Sequence, residues 1–107
     1  MAVHNGEEYL DQAIESVLRQ TFEHFEFIIV NDGSTDQTEE ILNSYNDKRL
    51  NILKIPASGL PAALNAGLDI SKGEFIARMD ADDICMPNRF EYQVKYLISQ
   101  PEISIVC

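Results

Sequence analysis

Basic residues are scarce in this sequence: eight lysines and arginines stand against eighteen aspartates and glutamates among 107 residues, a formal charge of -10. Such a balance repels phosphate backbones and anionic lipid, which argues against nucleic acid and anionic membrane as direct partners. An anionic ligand must then be attracted by something other than bulk charge. Cysteine is also sparse, with only Cys85 and Cys107 and no Cys-x-x-Cys or Cys/His set. Neither a disulfide framework nor a zinc site is indicated, and a reducing, cytoplasmic setting is expected. Long apolar runs are missing too. No stretch has the length of a membrane span, and MAVHNGEEYL has neither the basic segment nor the apolar centre of a signal peptide.

Several catalytic signatures are absent. There is no GxGxxG after a strand and no GxxxxGK[ST], so a dinucleotide fingerprint and a phosphate-cradling loop are both excluded, and diphosphate binding must lean on a metal. No GxSxG occurs, and Ser34 has no histidine near it in sequence, which argues against a hydrolase triad. Asp80, Asp82, Asn88 and Glu91 fall at the first, third, ninth and twelfth places of a calcium loop, but Ile84 and Cys85 occupy the fifth and sixth. The missing ligand and glycine make that match a coincidence.

What is present is an alternation of apolar strands and amphipathic helices, 45% hydrophobic overall, long enough for one domain or part of one. This rhythm predicts an α/β fold, a Rossmann-like and mostly parallel sheet with helices on both faces. Met1 to His4 suffices only for the tail of a strand, since strands usually run about five or six residues. Asn5 and Glu8 form a capping box for a helix whose apolar face is Leu10, Ala13, Ile14, Val17 and Leu18. Phe25 to Val30 reads as a buried strand, Asn31 to Gly33 as the turn after it, and Ser34 with Gln37 as a second capping box. A helix over Asp36 to Tyr45, a half-exposed strand over Leu50 to Ile55 and a helix over Ser58 to Ile70 follow, with Pro61 in the first turn of the last. The small residues Ala62, Ala63, Ala66 and Gly67 let that helix approach the sheet, and Asn65 among them is a candidate for orienting a site carboxylate. Pro87 opens a further helix with Phe90, Val94, Leu97 and Ile98 inward, and Ile103 to Cys107 begins another strand. On this reading the chain is one partial domain, residues 1–107, entering and leaving its sheet in mid-strand.

The chemistry concentrates in GEFIARMDADD, Gly73 to Asp83. Phe75, Ile76 and Ala77 read as a short buried strand, and Asp80, Asp82 and Asp83 follow at its carboxyl end, where open α/β sheets place their ligands. Two like charges about 4 Å apart repel by roughly 4 kcal/mol at an effective dielectric near 20, so the cluster needs a cation, a proton or solvent, a cation being the simplest answer. A hard divalent ion suits such oxygen donors. Asp32 has two readings: a turn carboxylate stabilised at a helix amino end, or an acceptor for the N–H or hydroxyl groups of a ligand. His4 and His24 are isolated, with His4 at the edge of the crevice. Cys85 and Met86 are read as packing residues.

Four blocks, VHNGEEYL, QTFEHFEFIIVNDGSTDQT, GLPAALNAGL and KGEFIARMDADDICMPNRFE, in this order and spacing, resemble the amino-terminal half of the family 2 glycosyltransferases of GT-A fold. The resemblance implies a hexosyltransferase-like enzyme of polysaccharide or cell-wall synthesis. It implies a nucleoside-diphosphate sugar donor, a carbohydrate or lipid-linked acceptor, and Mg²⁺ or Mn²⁺. Ala2, His4 and Asn5 then line the nucleotide pocket and Asp32 recognises the base. Asp80-Ala81-Asp82 matches the Asp-x-Asp motif, with Asp80 near the ribose or sugar and also a possible metal ligand, and Asp82 on the metal. Asp83 extends the acidic turn. Transfer with inversion needs a carboxylate base, which the family carries in its carboxyl-terminal half, beyond Cys107. These 107 residues are therefore expected to bind donor and metal without catalysing transfer alone, and any membrane association belongs to the full-length protein.

Two other classes compete with this reading. A magnesium-binding phosphoacceptor signalling domain has similar length and class, but its acids also follow the first strand, where this chain has His4-Asn5-Gly6. A non-catalytic nucleotide-binding module keeps the fold without the metal.

Overall fold

A computed structural model describes all 107 residues. Seven elements follow one another: β1 (Ala2–Val3), α1 (Leu10–Leu18), β2 (Phe27–Asp32), α2 (Thr38–Ser44), β3 (Leu50–Ile55), α3 (Leu60–Ile70) and α4 (Arg89–Ser99). The strands make one parallel sheet in the order β1-β2-β3. Ala2 lies beside Val30, and Phe27 through Asp32 run in register with Leu50 through Ile55.

Side chains alternate between the two faces of a strand, and here each face finds a helix layer. Phe27 and Ile29, with Val3, join Leu10, Ala13, Ile14 and Val17 of α1 and Leu42 of α2 in one buried cluster. Ile28 and Val30 point the other way, toward α3. There a Cβ on Gly67 would come within 3.3 Å of Val30 Cγ2, so the small-residue stretch does bring the helix close to the sheet. A parallel sheet requires this double cover. Each of the fully buried Leu10, Ile14, Ile29 and Leu42 contributes about 1.5–3 kcal/mol of apolar burial.

The observed elements depart from the periodicity in several places. β2 starts two residues later than the apolar run and continues through Asn31 and Asp32, because Lys54 and Ile55 of β3 pair with them. Phe25, left outside the strand, stacks edge-on against Phe90 at 5.4 Å and lies under the Arg49 guanidinium. Neither capping box forms: Tyr9 and Gln37 precede α1 and α2, and neither makes a side-chain cap. Asn5 and Ser34 instead bind each other's loops.

The strand expected at Phe75–Ala77 is not formed. No backbone hydrogen bond holds these three residues, and Ile76 is 55% exposed. β1 has only two paired residues, too few to offer a ladder to a neighbour on its other side. Ile103 to Cys107 is likewise unpaired and not a strand. α4 buries no residue completely; Phe90 packs against the core, while Ile98 is exposed. Asn65 is exposed and makes no side-chain hydrogen bond, so it orients no carboxylate.

Candidate functional site

The carboxyl ends of all three strands meet at one edge of the sheet, and two loops are laced together there. Asn5, the one non-glycine residue with positive φ, at 51°, follows β1. Its N–H donates to Ser34 Oγ at 3.0 Å, and its Oδ1 accepts the Thr35 N–H at 2.8 Å. The Gly6 N–H donates to Thr38 Oγ1, the Glu7 N–H to Asp36 Oδ2 and the Gln37 N–H to Glu7 Oε2. These bonds satisfy backbone donors before α1 and α2 that the absent capping boxes leave free. Burial opposes ionisation of Asp36, but the N–H and hydroxyl donors around it outweigh that and hold its carboxyl below the ordinary value. The His4 Nδ1–H donates to the Asp32 carbonyl at 2.6 Å, which leaves Nε2 as the acceptor toward Asn5 Nδ2.

Asp32 is 5% exposed, and its two carboxylate oxygens are both engaged by backbone. The Ser58 N–H donates to Oδ1 at 2.7 Å and the Gly59 N–H to Oδ2 at 2.9 Å. It is the last residue of β2 rather than part of a turn, and the helix end it serves is that of α3, not α2. Each oxygen keeps a second lone-pair site. Gly33, at φ +61°, makes the crossing possible: a Cβ there would lie 2.5 Å from the Ala57 nitrogen.

A cleft of about 380 Å³ opens between this edge and the acidic turn, lined by Ala2, Val3, His4, Asn5, Gly6, Glu8, Tyr9, Leu60, Asp80, Ala81 and Asp82. Ala2, His4, Asn5, Asp80 and Asp82 thus border one cleft, and Asp32 does not line it. Asp32 stands just behind the wall, bonded to His4 and to the residue before Leu60. Asp83 is outside the lining, its N–H turned back to the Asp80 carbonyl. Met79 and Cys85, both buried in the core cluster, fix the two ends of the exposed segment between them. Met86 is exposed, contrary to its reading as a packing residue. A larger depression of about 420 Å³, between Thr21–His24 and α4, lies away from the strand ends.

Three acids and no lysine or arginine line the cleft. Glu8 chiefly, with Asp82 adding, pushes the Tyr9 phenol up. Burial lowers the amino terminus of Met1, against the opposing pull of Asp80. Asp80 pairs with Arg78 at 3.1 Å, both half exposed, whereas Asp82 has no basic partner. No group of three or more His, Cys, Asp or Glu side chains converges on a metal position. Two carboxylates nonetheless fit a magnesium-type ion, which is held by one or two carboxylates plus phosphate oxygens rather than by an all-protein cage. Glu8 reads in the sequence as a helix cap, Leu60 as one residue of the helix over Ser58 to Ile70, and no pattern singles out Tyr9; Leu60 is half exposed at the mouth of the cleft.

Comparison with known proteins identifies the family and the fold. The family described as Glycosyl transferase family 2 matches residues 1–107. The chain belongs to that family. An uncharacterized glycosyltransferase of Rickettsia prowazekii (strain Madrid E) is 38% identical over 98% of this chain and 33% of its own length. One from Methanocaldococcus jannaschii is 40% identical over 99% and 38%, respectively. The chain therefore spans about a third of the relatives it matches. Among solved structures, S. aureus TarS 1-349 in complex with UDP superposes with a TM-score of 0.86 at 28% identity, covering 94% of this chain and 31% of that one. The complex of TarS 1-349 with UDP-GlcNAc gives 0.87, covering 94% and 30%. The α/β architecture of this family 2 chain is that of the GT-A glycosyltransferases. No helix is long and apolar enough to cross a membrane.

Proposed function

We propose that this chain is the donor-binding part of a metal-dependent glycosyltransferase that moves a sugar from a nucleoside diphosphate to an acceptor hydroxyl, with inversion. The observation that carries the reading is the charge of the cleft. Glu8, Asp80 and Asp82 line it without a lysine or arginine, so a diphosphate enters only with a cation between it and the protein. Asp82, free of basic partners, and Asp80 would hold Mg²⁺ or Mn²⁺. When bound, the ion stabilises negative charge developing on the departing phosphate. Ala2, His4 and Asn5 form the wall against which the nucleotide lies, and Asp32 offers its remaining lone pairs to the base. Uracil is the first base to test, since TarS was solved with UDP and UDP-GlcNAc. The whole protein's acceptor is proposed to be a carbohydrate or lipid-linked hydroxyl. The base that deprotonates it is assigned to no residue among these 107.

Calorimetric titration of UDP into the 107-residue chain, with and without Mn²⁺, tests the reading. Binding that requires Mn²⁺ and is lost in Asp82→Asn is the expected result. Equal affinity with and without metal, or an unaffected Asp82→Asn variant, overturns it in favour of a metal-free nucleotide module. Sugar transfer catalysed by these residues alone would overturn the division between donor binding and catalysis.

A further inference from the structure

The acidic turn hangs from α1. No strand pairing supports the residues that lead into it, and inside it the one backbone bond is from the Asp83 N–H to the Asp80 carbonyl, at 3.3 Å. On its far side, three residues at the carboxyl end of α1 grip consecutive backbone groups. The Cys85 N–H donates to Ser16 Oγ at 2.9 Å, Gln20 Nε2 donates to the Met86 carbonyl at 2.6 Å, and the Thr21 N–H donates to the Pro87 carbonyl at 2.8 Å. Gln20 Oε1 also accepts the Phe90 N–H at 3.0 Å, in the first turn of α4. Gln20 is 4% exposed and outside the cleft lining, and both ends of its amide are used, with Nε2 also donating to the Ser16 carbonyl at 3.2 Å. A buried primary amide that bridges one carbonyl and one N–H four residues apart fixes the path between them, because no water is available to replace either bond.

We propose that Gln20, assisted by Ser16, is a positioning residue for Asp80 and Asp82, and that its amide sets the affinity of the metal-diphosphate site without touching either ligand. This inference rests on the donor and metal reading above. Removing a group bonded directly to a metal-ligating side chain typically lowers metal affinity by about 10–100-fold, and Gln20, which acts one step further out through the backbone, belongs at the low end of that range. Gln20→Met keeps the length of the side chain and removes all three of its side-chain hydrogen bonds, to the Ser16 and Met86 carbonyls and from the Phe90 N–H. Gln20→Glu keeps an acceptor for the Phe90 N–H but loses the donor to Met86.

The experiment compares UDP affinity with and without Mn²⁺, and amide hydrogen exchange at Cys85 and Phe90, in the wild-type chain, Gln20→Met, Gln20→Glu and Leu42→Val. The last trims the core at α2, away from the turn, and reports what general loosening does. Gln20→Met is expected to lose protection at Phe90 and to reduce the Mn²⁺ enhancement of UDP affinity by about tenfold. Gln20→Glu, which sets a buried carboxylate oxygen against the Met86 and Ser16 carbonyls, should lose at least as much, and Leu42→Val should lower Tm while leaving the Mn²⁺ enhancement intact. Unchanged exchange at Phe90 in Gln20→Met overturns the clasp itself. Faster exchange with an unchanged Mn²⁺ enhancement overturns its role in metal binding. A wild-type chain showing no Mn²⁺ enhancement overturns the donor and metal reading and this inference with it, and the exchange data then stand as evidence of packing alone.

Discussion

The Gly59 N–H, one residue before α3, donates to Asp32 Oδ2 at 2.9 Å across the end of the sheet. With the Ser58 N–H on Oδ1, it makes Asp32 the hinge between β2 and the loop that leads to the cleft residue Leu60. A side chain expected to read a ligand therefore also builds the wall against which the ligand would lie.

Replacing Asp32 by Asn keeps one acceptor and turns an N–H₂ toward the other backbone donor. Leaving a buried N–H unsatisfied costs about 1–3 kcal/mol. For a chain of this size that is a fall in Tm on the order of 10 °C. Thermal unfolding of Asp32→Asn followed by circular dichroism checks this, and an unchanged Tm would show that the two bonds contribute nothing net.

Gly33 combines a left-handed backbone with a close approach, and the two effects are separable. Its φ is +61°, and a Cβ would lie 2.5 Å from the Ala57 nitrogen and 2.8 Å from the Ala57 Cβ. A left-handed alanine costs roughly 1–2 kcal/mol from backbone strain alone, and asparagine carries less of that penalty. Contact with Ala57 should make Gly33→Asn nearly as unstable as Gly33→Ala. Full recovery of Tm in the asparagine variant would assign the whole effect to φ.

The sequence was most legible where a face is buried on one side only. The α1 stripe of Leu10, Ala13, Ile14 and Val17 and the span of β3 emerge as read, because burial and period coincide there. The acidic turn's place beside His4 and Asn5 was implied by the family resemblance alone, since the strand expected to lead into the turn does not form. What failed depended on partners that no local pattern contains. Phe75–Ala77 is apolar enough for a strand but has no ladder to join, and α4 has a helical stripe without a surface to cover it. The Asn5 and Ser34 signals were real, but their acceptors and donors serve a neighbouring loop rather than their own helix. Gln20 was invisible in the sequence because a glutamine at the end of an amphipathic helix reads as solvent-facing; only the packed chain shows it enclosed.

The Arg78–Asp80 pair offers a test of how the cleft is held before a ligand enters. Both side chains are half exposed, and exposed pairs are worth about 0–1 kcal/mol, so a cation should displace Arg78 from Asp80 readily. Arg78→Ala is expected to leave Tm nearly unchanged and to keep or strengthen Mn²⁺-dependent UDP binding. A tenfold loss in calorimetry would instead place the guanidinium on the diphosphate.

Acid stability should carry the signature of Asp47. Its Oδ1 accepts the Arg49 N–H and Nε–H, and its Oδ2 accepts Nη2–H, while the same guanidinium reaches the Leu18 carbonyl. These bonds from Arg49, side chain first and backbone second, lower the Asp47 carboxyl from 3.8 to about 2. A carboxyl that binds its proton more weakly when folded stabilises the fold at pH values above 3.8, and that contribution disappears as the pH falls through about 2. Glu91, held low by Lys95 and Thr21, acts in the same direction. The difference in Tm between wild type and Asp47→Asn should therefore be constant near neutral pH and shrink as the pH falls from 4 toward 2. Thermal melts across that interval decide the matter: a difference that is flat, or that widens on acidification, would mean that Arg49 holds Asp47 no more tightly in the folded chain than in the unfolded one.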